Sequence, residues 1–292
     1  MVGLEKLCHD YGDRIVGMAV HNGDPMALAE YGFTGQMIKG YPSALINREY
    51  EIDPYYGITD DEPYGVRYPV EWVLENSVAP ADMEVQAVWN SDSTAIDVTT
   101  HTTFLFDSNS ANYALCYVLV ADSLHGDPAQ GWQQKNGYSG RTSLTDPDLL
   151  PWVERPEWVK DLYYNHVAIG VWGAQKGLDA SVSAPLQAEA SQTHTHTIPT
   201  DGNSLVQNKR LLHVAVVLYD TQSGLAVNAC QTTILPAGET GIVPFVALPT
   251  QQTEQVYDLQ GRRVTSSPDV RRSAGLRIVR DTDGKTRKLF IH

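Results

Sequence analysis

Ile15-Val-Gly-Met-Ala-Val20, closed by His21-Asn-Gly-Asp-Pro25, and Ala44-Leu-Ile46, preceded by Gly40-Tyr-Pro-Ser43, are the segments on which the fold reading turns. The first is a short apolar run rich in β-branched residues, the pattern of a buried strand ending in a tight turn. A helix is expected near Met26 to Tyr31. A Pro just ahead of a strand fixes a turn, sometimes through a cis peptide bond, so Pro42 marks the entry to a second strand at Ala44. Strand, helix, Pro turn and strand together make one βαβ-like half-domain. Ahead of it, Val2 to Gly12 reads as an amphipathic helix with Leu4 and Leu7 inward and Gly12 as its stop. The chain is therefore expected to begin inside a helix.

These residues resemble the thioredoxin-like domain of a Gram-negative surface protein family, the outer-membrane protein twenty-eight family. The matching elements are Gly3-Leu-Glu-Lys-Leu7, Tyr11-Gly-Asp13, Ala19-Val-His-Asn-Gly-Asp-Pro-Met26 and Gly40-Tyr-Pro42. The resemblance implies a Trp-Cys-x-x-Cys-Pro turn just before Gly3, and it places Tyr41 and Pro42 where the cis-Pro of a dithiol site belongs. No Cys-x-x-Cys occurs in the chain, so Tyr41 and Pro42 are read as the remnant of a redox site without its thiolate. Two origins are weighed: Met1 is an internal Met of a longer protein, or the gene has lost its front. The first is favoured, because a sheet without its first strand leaves an open edge, and the same truncation would remove a secretory signal.

At 292 residues with 42% hydrophobic content, the chain has room for two folded domains. No apolar run is long enough to span a membrane. A formal charge of -14 argues against a nucleic-acid ligand. Residues 251–292 carry a net +4 and residues 1–250 a net -18, so a separately acting basic end piece is weighed against an ordinary solvated charge run. Of three cysteines, Cys116 and Cys230 fall in strand-like runs, and either a disulfide or two buried thiols fits them. Cys8 lies on the first helix. Three adjacent carboxylates, Asp60-Asp-Glu62, lack the spacing of a Ca²⁺ loop and are read as solvated.

Tyr68 to Glu75 reads as the last helix of the first domain, and Ala79-Pro-Ala81 as its boundary. Beyond it the periodicity becomes two. Met83 to Trp89, Thr94 to Phe104, Tyr113 to Val120, Val167 to Trp172, a run near Ala188 to Thr197, Leu211 to Tyr219 and Ala226 to Thr232 read as strands of an antiparallel sandwich. Asp220 to Gly224 is the hairpin turn between the last two. An irregular insertion spans His125 to Pro156. The family resemblance continues through Val118-Leu-Val-Ala-Asp122, Gly131-Trp-Gln-Gln-Lys-Asn136, Asn165-His-Val-Ala168 and Leu211 to Asn228, which implies an immunoglobulin-like sandwich.

The candidate chemistry is sparse. His194-Thr-His196 puts two imidazoles on one side of a strand, but no third ligand is identifiable, so a solvent-facing pair is expected and no metal is assigned. His166 with Asp161 and Asn165 is weighed for acid-base work against a structural role. Aromatic residues Trp132, Tyr138, Trp152, Trp158 and Tyr163, punctuated by Pro, suit either packing of the insertion or an exposed loop that binds protein or glycan. Val256-Tyr-Asp-Leu-Gln-Gly-Arg-Arg-Val264, Gly275-Leu-Arg-Ile-Val279 and Arg287-Lys-Leu-Phe-Ile-His292 resemble the small sorting domain of type IX secretion, although Arg277 stands where an aromatic or aliphatic residue is usual.

The expectation is a multidomain α/β plus all-β protein: a thioredoxin-like domain (1–79) truncated at its front, an immunoglobulin-like sandwich (80–236) and a small β tail (250–292). It is expected to be an exported cell-envelope protein at the outer-membrane surface or in the periplasm. It needs no cofactor, spans no membrane, binds no nucleic acid and is redox-inactive as written because the Cys-x-x-Cys is absent, thiol–disulfide exchange being expected only of a longer native form. The alternative is a surface module that binds a protein or glycan partner.

Overall fold

Apolar residues on one side of Val2–Tyr11 drive the first helix, α1, which ends as Gly12 takes a left-handed φ of +52°. Leu7 is buried with Val66 and Val70, and Ile15, Ile46 and Leu74 pack around them. Leu4 and Cys8 lie against Gly17, where a Cβ would come within 2.5 Å of the Cys8 sulfur and 2.7 Å of Leu4 Cδ1. The computed structural model describes residues 2–55 and 65–238, together with the backbone of four strands between 255 and 291. The Asp60–Glu62 carboxylates lie outside the described residues.

A hairpin follows: β1 (Ala44–Ile46) pairs with β2 (Tyr50–Ile52). Its turn holds Asn47 and Arg48 at φ 51° and 62° and is closed by the Glu49 N–H on the Ile46 carbonyl at 2.9 Å. The Tyr41–Pro42 bond ahead of it is cis. Helix α2 (Arg67–Asn76) covers the sequence expected to be helical.

Next come β3 (Ala81–Trp89), β4 (Ala95–Phe104), β5 (Tyr113–Ala121), β6 (Gln134–Lys135), α3 (Leu150–Val153) and β7 (Trp158–Val159). The first body is completed by β8 (Val167–Trp172), β9 (Ser191–Pro199), β10 (Leu212–Asp220) and β11 (Ala226–Leu235). Seven of these form one sheet in the order β8-β5-β10-β11-β3-β4-β9. Every neighbouring pair is antiparallel except β11 with β3, which run parallel and meet through Ile234 opposite Ala87 and Leu235 opposite Val88. The result is a curled mixed sheet where an all-antiparallel sandwich was expected.

The alternation of each strand sorts residues to two faces. On the inside of the curl, Tyr117, Leu119, Val214, Val216, Ile96 and Phe104 form the main core. Cys116, Val118, Val120, Ala215 and Val217 point outward from β5 and β10 and are equally buried, because Tyr31, with Val16, Met18 and Phe33, covers them. Residues 16–33 thus roof the outer face. The expected strand at Ile15–Val20 is instead an extended segment that touches the sheet edge at a single parallel bridge, Ala19 to Val167. There the Ala19 N–H donates to the His166 carbonyl at 2.6 Å and the Ala168 N–H to Ala19 at 3.0 Å. Apolar side chains at Val16 and Met18 are spent on the roof. The helix expected at Met26–Tyr31 is displaced to a 3-10 segment, Ala29–Gln36, and Met26 is fully buried.

The chain resolves into two compact units, 1–240 and 241–292. The second unit contains β12 (Gln255–Tyr257), β13 (Arg263–Val264), β14 (Gly275–Arg280) and β15 (Thr286–Ile291), antiparallel in the order β13-β12-β14-β15.

Arg48 ties the hairpin to the sheet. Its guanidinium stacks 3.9 Å from the Tyr219 ring centre and 5.2 Å from that of Phe33. It also donates to the carbonyls of Ala174 at 2.5 Å and Gln175 at 3.1 Å. Arg48→Ala removes the stack and leaves the Ala174 carbonyl, part of a buried contact, without its donor, so a loss of about 2 kcal/mol is expected in urea unfolding.

Candidate functional site

On β4 the inward column runs Ile96, Val98, Thr100, Thr102 and Phe104, and β9 sets Ile198, His196, His194 and Gln192 beside the first four. Both histidines therefore face the inside of the curl and are half-buried, contrary to the solvent-facing pair expected, because the whole even-numbered side of β9 turns inward. Across the curl Tyr117 from β5 meets them. Its hydroxyl lies 2.8 Å from His194 Nδ1 and 3.2 Å from Thr100 Oγ1. The His196 ring sits between Tyr117 and Trp172, with centroids 4.9 Å and 5.6 Å away. The buried Thr102 hydroxyl and His196 Nε2 have no hydrogen-bond partner.

Burial lowers the pKa of both histidines, and the neighbouring His194 lowers that of His196 further. Burial pushes Tyr117 up to about 12. Both shifts favour the uncharged imidazole, and among the described residues no carboxylate is paired with either ring. Among the described residues no three His, Cys, Asp or Glu side chains gather as metal ligands.

Two further clusters escaped the sequence reading. His21 Nδ1 contacts Asp24 Oδ2 at 2.6 Å, Gln134 donates to the same oxygen at 3.0 Å, and the Met26 N–H donates to Asp24 Oδ1 at 2.9 Å. Burial works to raise the Asp24 carboxyl, yet His21 and these donors together hold it below the usual range. His21 also meets the buried Tyr164 edge to face. This knot fastens the roof to the insertion; the signal was His and Asp three apart in a Gly-Pro turn. In the second cluster the Asp122 carboxylate lies 3.9 Å from His166 and 3.8 Å from His213. His166 is therefore associated with Asp122 and not with Asp161, which is exposed and paired with Arg155. Asn165 accepts the Ser123 N–H at 2.9 Å and donates to Glu5 at 3.0 Å, a joining role.

The aromatic residues of the insertion do not share one environment. Trp132 is buried in the main core beside Tyr164, whose hydroxyl donates to the Trp132 carbonyl. Tyr138 is half-buried, and Trp152 is half-buried with Arg155 stacked 5.2 Å from its ring. Trp158 and Tyr163 are exposed, at 48% and 60%. Tyr41 is also 60% exposed.

All three cysteines are free. Cys116 points to the roofed face and Cys230 to the inside of the curl, so the sheet itself separates them. Burial raises both thiols to about 12. Cys8 is raised as well, by burial first and then by the Asp122 and Glu5 carboxylates, against a lowering backbone contact at Gly17.

The depressed histidines make a pH prediction. A group held below its ordinary 6.5 stabilises the fold fully above that value and loses its contribution as pH falls through the lower folded value. The melting temperature should therefore drop from neutral pH to about pH 5. His196→Phe, which keeps a ring between Tyr117 and Trp172, should flatten that drop in part, with the residual slope coming from His194 and from His213, which burial also depresses.

No family model matches the chain, and no curated protein matches it. Among solved structures, HBP35 of Porphyromonas gingivalis aligns with a TM-score of 0.51 at 14% identity, over 99% of this chain and 89% of that one. A domain of the outer membrane lipoprotein Omp28 from Porphyromonas gingivalis aligns with a TM-score of 0.29 at 10% identity, over 55% of this chain and 93% of that domain. The fold of this chain is similar to that of HBP35.

Proposed function

We propose that this chain is a cell-envelope protein, at the outer-membrane surface or in the periplasm, that binds a protein or glycan partner and performs no thiol–disulfide exchange. The state of the thiols carries the second half of this reading. Exchange requires an accessible thiolate with a resolving partner. Cys116 and Cys230 are held protonated on opposite faces of one sheet, and Cys8 is raised too. Tyr41 and Pro42 then stand beside no dithiol. In this reading residues 1–79 are a thioredoxin-like segment whose 16–33 stretch serves as the roof of the sheet, and residues 80–236 are an immunoglobulin-like body.

The envelope location rests on the resemblance of 3–42 to a Gram-negative surface family and of 256–292 to a sorting domain. The binding role rests on the exposure of Trp158 and Tyr163, which follow an insertion anchored through Trp132.

Two measurements test it. Insulin disulfide reduction by the full chain should show no turnover above the uncatalysed rate, and native Cys116 and Cys230 should resist a thiol reagent that modifies them after unfolding; robust turnover overturns the reading. On a glycan array and on immobilised outer-membrane proteins, Trp152→Ala with Trp158→Ala should weaken binding roughly tenfold or more. Point replacements are preferred to deletion of residues 1–79, which would strip the roof from a buried apolar face. Unchanged binding would make the insertion purely structural.

A further inference from the structure

The two ends of the seven-stranded sheet are treated differently. At one end, the edge of β8 is engaged by Ala19 through the parallel bridge to Val167. At the other, β9 pairs with β4 on one side and, among the described residues, with nothing on the other. Sheet edges are ordinarily blunted by shortness, charge, proline or a bulge. β9 spans nine residues and pairs with β4 without a register shift, whereas β5 with β8 and β10 with β11 are each interrupted by one. Its sequence, Ser-Gln-Thr-His-Thr-His-Thr-Ile-Pro, has no Lys, Arg, Asp or Glu, and its only proline is the last residue. Among the described residues neither charge, internal proline nor bulge discourages another strand along Thr193–Thr197, while Gln192 at its start is held by the Ser183 backbone.

The chemistry of the edge reads the same in both directions. Thr193-His-Thr-His-Thr197 is symmetric about Thr195, so an antiparallel pairing of two identical strands about a two-fold axis there sets threonine beside threonine and histidine beside histidine. We propose that β9 is a docking edge for a second copy of this chain, pairing antiparallel about Thr195 and joining two seven-stranded sheets into one. In that register Thr195 meets its own copy, and Thr193 meets Thr197 of the second copy. The three threonines are exposed on the outer face, where cross-strand threonine pairs are favourable.

The neighbouring strand extends the match. Thr193 Oγ1 already contacts His101 Nδ1 at 2.9 Å, and Thr197 Oγ1 donates to Asp97 Oδ1 at 2.7 Å. Two-fold pairing therefore sets a His101–Thr193 unit of one copy beside a Thr197–Asp97 unit of the other, twice. Each row runs from an imidazole through two hydroxyls to a carboxylate. On the inner face His194 meets His196 of the second copy, which continues the existing ring-lined row beside Tyr117 and Trp172.

The test uses the full chain. Sedimentation velocity from micromolar to submillimolar concentration should show a reversible monomer–dimer equilibrium. Thr195→Lys sets two ammonium groups against each other on the axis and should raise the dissociation constant at least about tenfold, with the circular dichroism spectrum unchanged. Should that variant misfold, Thr195→Cys decides the matter. Its two sulfurs meet across the axis, where facing Cα atoms lie roughly 4.5–5.5 Å apart, so mild oxidation should give a covalent dimer that neither the unaltered chain nor Ser223→Cys, at the β10–β11 turn, yields. A chain that stays monomeric throughout, a dimer indifferent to Thr195→Lys, or no cross-link from Thr195→Cys overturns the proposal.

Discussion

Two strands buried on both faces govern this structure. β5 and β10 pair over nine residues, and apart from His213 and Asp220 of β10 their inward and outward side chains are apolar or aromatic and almost wholly removed from water. An antiparallel pair of this kind cannot sit in a sheet with one wet side. It needs two covers, and the chain makes them from different materials. The inner cover is the rest of the sheet, curled back so that β4 and β9 lie over Tyr117. The outer cover is the irregular stretch 16–33, fastened by Arg48 on Tyr219 and by the His21–Asp24–Gln134 knot. Local irregularity of the roof follows from this duty: its side chains are placed by the surface beneath, not by a helical or strand repeat of their own.

Much of the sheet was legible because burial and period agree in it. Tyr113 to Val120 is continuously apolar, and the strand is buried on both faces; Thr94 to Phe104 is β-branched and alternating, and its inward column follows that alternation. The first helix and its Gly12 stop, the Ala44–Ile46 strand and the helix after Tyr68 were equally readable from local chemistry. What the sequence could not display was which partner each face would meet. Ile15–Val20 has the composition of a strand, yet it forms one bridge because its apolar residues cover β5 and β10. The parallel contact of β11 with β3 joins residues far apart in the chain and leaves no local mark.

The candidate site shows the same boundary. That His194 and His196 share a side of their strand is a matter of period; that the side is the inner one depends on how far the sheet curls. Their partner Tyr117 lies far upstream and was read only as part of an apolar run. Asp122, which meets both His166 and His213, is likewise remote in sequence from each. The aromatic residues from Trp132 to Tyr163 read as one group, but Trp132 belongs to the core while Trp158 and Tyr163 face solvent.

The narrow parallel seam between β11 and β3 orders events in time. Ile234 and Leu235 are the last residues of the sheet, and they close onto Ala87 and Val88 near its start. A chain that emerges from the ribosome amino end first can form the β3–β4 hairpin early, but the seam must wait until residue 235 has appeared. Until then one edge of β3 is unlatched and much of the core is shared with solvent. The body is thus a purse whose clasp is threaded last.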